Sequence, residues 1–248
     1  MRRLAKKHVL NYGTRGGNVF IHEEIARSQL GMNLKAICQQ STNIASRSQK
    51  SQIKIYEQLD YLVGSMVIKA GLAPNLCEML FLVQSLILVQ IVSLLVLNGS
   101  VAYKRQAEKR QYVLHLWTGK LWNMAPSELP ASLSPRQAFL LAESVRRTII
   151  ISGEFQGLWH ASKYAWVEHN MFLDSLPFER RAQLWEVPET GFDTAFGNGK
   201  QDIISWRELI DIFDAGMLST FTSFETMLLV ALRGKHAIEA QLKAMSIC

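Results

Sequence analysis

Side chains capable of chemistry are present throughout this chain, but few are spaced to perform it. The histidines, His8, His22, His115, His160, His169 and His236, nowhere stand in H-x-x-x-H or a comparable metal-ligating spacing. His160 and His169 flank a Lys-Tyr-Ala-Trp stretch near Glu168, and a structural or surface role is the plainer reading. His22-Glu23-Glu24 reads as a helix start, where the helix dipole favours acids. Gly64-Ser65 and Gly99-Ser100 lack the flanking residues of a G-x-S-x-G nucleophile elbow. Gly197-Asn-Gly199-Lys200 has the flavour of a phosphate loop, but a P-loop needs glycine where Thr194 stands and Ser or Thr where Gln201 stands. Cys38, Cys77 and Cys248 form no CxxC pair and no disulfide framework, so a reducing intracellular compartment and packed thiols are expected. No catalytic, cofactor-binding or metal site is expected.

Two charged groups remain. Glu143 with Arg146 and Arg147 sits on an apolar helical stretch, where an arginine can grip a carboxylate bidentately across a helix interface; a solvated or ion-paired structural face is the expectation. Arg2, Arg3, Lys6 and Lys7 form a short basic run that is a candidate nuclear-import patch, the alternative being a solvated first turn. With Arg15 these residues supply five of the six net positive charges, and from Gly16 onward 22 basic residues face 21 acidic ones. A nucleic-acid-binding domain carries a basic face across its body, so DNA binding by this chain alone is not expected. The N-terminus has no apolar run before a small-residue cleavage site, so no secretory signal is read there.

The elements that would position these groups are helical. The chain is 48% hydrophobic and 19% charged, enough apolar surface for a sizeable core and against intrinsic disorder. Residues 1–17 read as a basic segment ending in a Gly-rich boundary, and residues 18–248 as one helical domain. Apolar residues at three- and four-residue spacing predict helices over Glu23 to Ser41 and Ile53 to Lys69. Asn75 with Glu78 forms a capping-box pattern that opens a helix from Leu76 to Leu97. Another helix is expected over Val101 to Met124, then a Pro/Ser-rich linker from Ala125 to Pro135. Ser134 and Pro135 suit the start of a helix reaching Tyr164. Beyond that helix the chain is punctuated by Pro177, Pro188 and the Gly191 to Gly199 stretch, with helices again at Trp206 to Ala215 and Phe221 to His236. Trp159, Trp166, Trp185 and Trp206 read as core aromatics. Strand signals are few, so the fold class is all-α, built around the central hydrophobic helix near residues 76–97.

That central helix raises a membrane question. Met79 to Leu97 is free of charge and close to the length of a span. Gln84, Ser85, Gln90 and Ser93 interrupt it, and amphipathic helices flank it, so a buried core helix is preferred over a span.

The stretch Phe139 to Glu186 contains, in order, Glu143-Ser-Val-Arg-Arg-Thr148, then Leu176-Pro-Phe178, then Arg181-Ala-Gln-Leu-Trp-Glu186. This order resembles the regulatory region of fungal zinc-cluster (Zn2Cys6) transcription factors, with their ESVRRT helix and later LPF…RAxLWE segment. Leu10-Asn-Tyr-Gly…Arg15-Gly-Gly-Asn-Val-Phe-Ile-His22 is similar to the family's SYP…RGG…PFIH passage. Leu86-Ile-Leu-Val-Gln90, Lys104-Arg105-Gln-Ala-Glu108 and Leu116-Trp117-Thr118 resemble its LLLYQ…RxxAER…LxxWT. Phe224-Glu225 through Gly234 resembles its FExLLLxACKG. Each likeness is weak alone; the ordered set spans most of residues 10–235. Glu23 stands where the family usually has proline, a minor departure.

The resemblance implies an all-helical regulatory domain of the kind encoded beside secondary-metabolite genes. Its expected setting is the nucleus. Its expected partners are other transcription factors or the transcription machinery, and dimerisation with a full-length relative belongs to the same expectation. The family's DNA-binding module needs six cysteines around two zinc ions, and three scattered cysteines do not supply it. The reading therefore shifts from direct DNA binding to regulation through a partner. A truncated transcription-factor gene product and a non-catalytic metabolite-binding helical domain are the alternatives.

Overall fold

The computed structural model describes residues 2–23, 29–44, 49–97, 99–125, 132–164, 171–181, 184–185, 187–197, 202–217, 221–234 and 236–240. The fold is all-α apart from one two-stranded ribbon. The chain divides into two compact units, Met1–Ser132 and Leu133–Cys248. The division falls within the Pro/Ser-rich stretch read as a linker, whereas the sequence pattern groups residues 18–248 together.

The first unit runs α1 (Arg2–Arg15), α2 (Gln29–Ile44), α3 (Gln49–Gly71), α4 (Leu76–Ile91) and α5 (Val101–Met124). Every residue of α4 from Met79 to Ile91 is buried, which is how a helix apolar on all sides must sit in a folded protein. Asn75 and Glu78 close the capping box that starts it. In the sequence Asn98-Gly99-Ser100 marks its end or a kink, and the helix changes form before that point. Val92–Val96 forms a π turn, with the Leu97 N–H donating to the Val92 carbonyl at 3.0 Å. Tyr56 of α3 explains what holds that turn. Its hydroxyl donates to the Ser93 carbonyl (3.0 Å) and accepts from the Gly99 N–H (3.1 Å), and its ring stacks on Tyr103 at 4.4 Å. Gly99 is required at this approach, because a Cβ there would overlap the Tyr56 hydroxyl and the ring edge that bears it.

The basic N-terminal segment is not set apart from the body. Residues Arg2–Arg15 form α1, and His8, Val9 and Tyr12 are buried. Gly13 lets α1 close on α2, since a Cβ there would lie 2.9 Å from the Gln39 nitrogen. An inward-facing side at positions 8, 9 and 12 is helical spacing, and the surrounding bases mask it in the sequence.

The second unit contains α6 (Pro135–Tyr164), α7 (Met171–Asp174), β1 (Pro177–Glu179), α8 (Glu189–Phe196), β2 (Ile203–Ser205), α9 (Trp206–Asp214) and α10 (Ser223–Arg233). Strands β1 and β2 pair antiparallel, with Phe178 opposite Ile204. Helix α8 corrects the reading of Gly191 to Gly199 as pure punctuation: the helix runs through Gly191, buries Phe192 and stops at Gly197, whose φ is +65°. Capping boxes open α9 (Ser205, Glu208) and α10 (Thr222, Glu225).

Candidate functional site

The charged residues of the second unit gather around one buried carboxylate. Helix α6 starts at Ser134, whose hydroxyl accepts from the Gln137 N–H while the Gln137 side chain accepts from the Ser134 N–H. Its 3.6-residue period then places Leu140, Glu143 and Arg147 on the inward side. Glu143 is 0% exposed. It accepts from Arg146 Nε (3.0 Å) and Arg147 Nε (2.7 Å) on its own helix. It also accepts the Glu179 backbone N–H from β1, at 3.2 and 3.3 Å to its two oxygens. The pairing is made within one helix and extends to a strand.

Two further carboxylate and guanidinium pairings accompany it. Arg181 grips the buried Glu179 bidentately (2.9 and 3.0 Å), donates to the Phe196 carbonyl, and lies over the Phe196 ring. Burial would push the Glu179 carboxyl up, but hydrogen bonds and charge from Arg181 outweigh it and hold it below the ordinary carboxylate range; Glu179 in turn raises Arg181. Arg180 donates to the buried Glu225 at 2.9 Å, and Glu225 also closes the α10 capping box. Arg136 donates to the Val187 carbonyl at 2.7 Å. The Arg147 guanidinium is sandwiched between Trp185 (4.2 Å) and Phe224 (4.8 Å), and Phe178 meets Phe224 edge-on at 5.2 Å.

Such a lattice is chemically committed. The Glu143, Glu179 and Glu225 carboxylates each accept two or more hydrogen bonds from arginine and backbone donors. Held in this way, these groups orient the segments that carry them. The residues missed from sequence were Arg136, Glu179, Arg180, Arg181 and Glu225. Their signal was acids and arginines embedded between Leu-Pro-Phe and Leu-Trp and after Ser-Phe, where a solvated face would not interleave so many apolar residues.

The other candidate residues are not brought together. Lys7 is exposed on α1; Arg2, Arg3 and Lys6 lie on the same helix, and their side chains are outside the described residues. His169, Glu168 and Trp166 are outside the described residues, as are Gly199 and Lys200. His160 is exposed beside Tyr164, and Trp206 is buried as expected. Among the described residues no group of three His, Cys, Asp or Glu could hold a metal ion. Leu76–Val96 is long and apolar enough to cross a membrane, and 94% of its most apolar window is buried inside the protein. Within it the Gln84 and Gln90 amides donate to the Phe20 and Ala107 carbonyls at 2.9 and 2.8 Å.

Fold and site together define an all-α protein whose most elaborate polar feature is a buried ion-pair lattice. No protein-family model, no curated protein and no solved structure matches this chain.

Proposed function

We propose that this protein is a nuclear transcription regulator or co-regulator, of the kind that controls fungal secondary-metabolite gene clusters, and that it acts through protein partners. One observation carries the reading. Five members of the lattice, Glu143, Arg146, Arg147, Arg181 and Glu225, lie in segments that resemble the zinc-cluster regulatory region, while Arg136, Glu179 and Arg180 lie outside them. An ordered set of motifs that also converges in space reads as one inherited folding unit. The committed state of its carboxylates favours a binding role over catalysis. The glutamine anchors of α4 favour a core helix over a membrane span, and Lys7 with the other bases of α1 remains the candidate import patch.

The test is a tethered reporter. Fused to an unrelated DNA-binding domain, the full chain is expected to accumulate in nuclei and to change transcription in either direction. A fusion that stays cytoplasmic and leaves the reporter at its basal level would overturn the proposal. Replacing Arg2, Arg3, Lys6 and Lys7 by alanine is expected to reduce nuclear accumulation.

A further inference from the structure

Within the first unit, helix α5 carries exposed residues along the side opposite its buried one. Its buried side is Ala107, Arg110, Leu114 and Leu121, with Arg110 turned inward to an ion pair with Asp60. On the opposite side, at three- and four-residue spacing, stand Val101, Arg105, Lys109, Tyr112, Leu116 and Lys120, all exposed. Tyr112 is 68% and Leu116 49% exposed. The stripe runs about 30 Å along the helix at ~1.5 Å per residue. Tyr112 and Leu116 lie between Arg105 and Lys109 on one side and Lys120 on the other, and Glu108 is the one acid in α5.

Gly119 lies on this same face, and apart from the helix's own backbone nearby nothing lies within 4 Å of the position a Cβ would take. A glycine inside a helix costs roughly 0.5–1 kcal/mol relative to alanine. Among the described residues no close packing accounts for it. It leaves bare backbone one turn from Leu116, with open space above it.

We infer that the outward face of α5 docks an acidic amphipathic helix of a partner protein. This rests on the reading that the chain works through protein partners, and it names the chemistry of one. An apolar ridge on the incoming helix would cover Tyr112 and Leu116 and the bare backbone at Gly119. Acids flanking that ridge would meet Arg105, Lys109 and Lys120, which is the complementarity that sets orientation and speeds encounter. Duplex DNA fits less well, because it carries one phosphate charge per ~1.7 Å of axis, far denser than these separated cations, and offers nothing to the central Tyr and Leu. Anionic membranes recruit tighter clusters of about 4–8 bases.

The probe is a fluorescein-labelled peptide with Leu and Phe at helical spacing and Glu between, read by anisotropy against the full-length protein. Binding is expected, weaker with rising salt and absent for a scrambled peptide of the same composition. The double variant Arg105→Glu/Lys109→Glu and the single variant Gly119→Leu are each expected to weaken it at least tenfold. A peptide carrying Lys in place of Glu is expected to bind the double variant better than the original protein. All the substitutions are solvent-facing, and unchanged circular dichroism melts verify the fold. Equal binding of the scrambled peptide, or unchanged affinity in the double variant, overturns the inference. So does a result in which duplex DNA or phosphatidylserine vesicles bind through these residues and the peptide does not. A fusion that regulates the reporter while the peptide fails to bind removes this inference and leaves the regulatory reading standing. A silent reporter with intact peptide binding does the reverse.

Discussion

Among the described residues, the first unit buries mainly uncharged side chains around α4, with Arg110 as its one buried arginine, whereas the second buries Arg136, Glu143, Arg147, Glu179 and Glu225 together. Apolar burial is non-directional and tolerates repacking. A buried ion lattice tolerates little, because each charge stripped of water must find its partner at the right distance and angle. The contrast teaches where specificity resides. The first unit's geometry is set by shape, with a few polar ties such as Tyr56. The second unit's geometry is set by which arginine meets which carboxylate.

The sharpest way to break this contrast is to delete the lattice's centre. Glu143→Ala strands Arg146, Arg147 and the Glu179 N–H, and is expected to cost about 3–5 kcal/mol in urea unfolding. Replacing Glu143, Arg146 and Arg147 together by Leu or Met is expected to cost less than Glu143→Ala alone, because no charge is left stranded. If the single variant is the milder one, the lattice is not what organises the second unit. In the first unit the matching test is Leu88→Ala at a position with 0% exposure. It is expected to cost about 3 kcal/mol through a cavity.

Acid and base should separate the units further. Burial, and then the charge of Lys7, hold His8 down to about 4 from 6.5. The unfolded chain gains a proton there that the folded one refuses, so the first unit loses stability as pH falls through that window. Burial, and then the charge of Asp174, push Glu154 up to about 8 from 4.5. The folded chain keeps a proton that the unfolded one sheds, so this group makes the second unit lose stability as pH rises from about 4.5 to 8. Hydrogen exchange resolved by segment, corrected for intrinsic rates, reads both slopes. His8→Gln should flatten only the first and Glu154→Gln only the second. The smallest effect expected is from Tyr56→Phe. It removes two hydrogen bonds at the π turn but keeps the stack on Tyr103, and should cost about 1 kcal/mol and speed exchange at Leu97.

How far the sequence revealed these features depended on range. Asn75 with Glu78, Ser134 with Pro135 and the long apolar run of α4 were readable because caps and periodicity are local. The boxes Ser205/Glu208 and Thr222/Glu225 are equally local patterns, and the sequence reading did not use them. Helix α1 was hidden because its basic residues outnumber the buried His8, Val9 and Tyr12. Strands β1 and β2 span three residues each, too few for alternation to show. The π turn and the lattice depend on partners 36 to 45 positions away, such as Glu143 with Glu179 and Arg180 with Glu225, and no local rule reaches that far.

The bond from Arg180 to Glu225 has a consequence for synthesis. During translation Arg180 leaves the ribosome 45 residues ahead of its partner. At ~5–20 residues per second, a few seconds pass before Glu225 is made. Phe224, which covers Arg147 and Phe178, arrives at the same moment. A nascent second unit therefore waits with its charged interior unsealed, and any chaperone that attends this protein has most to shield in that interval.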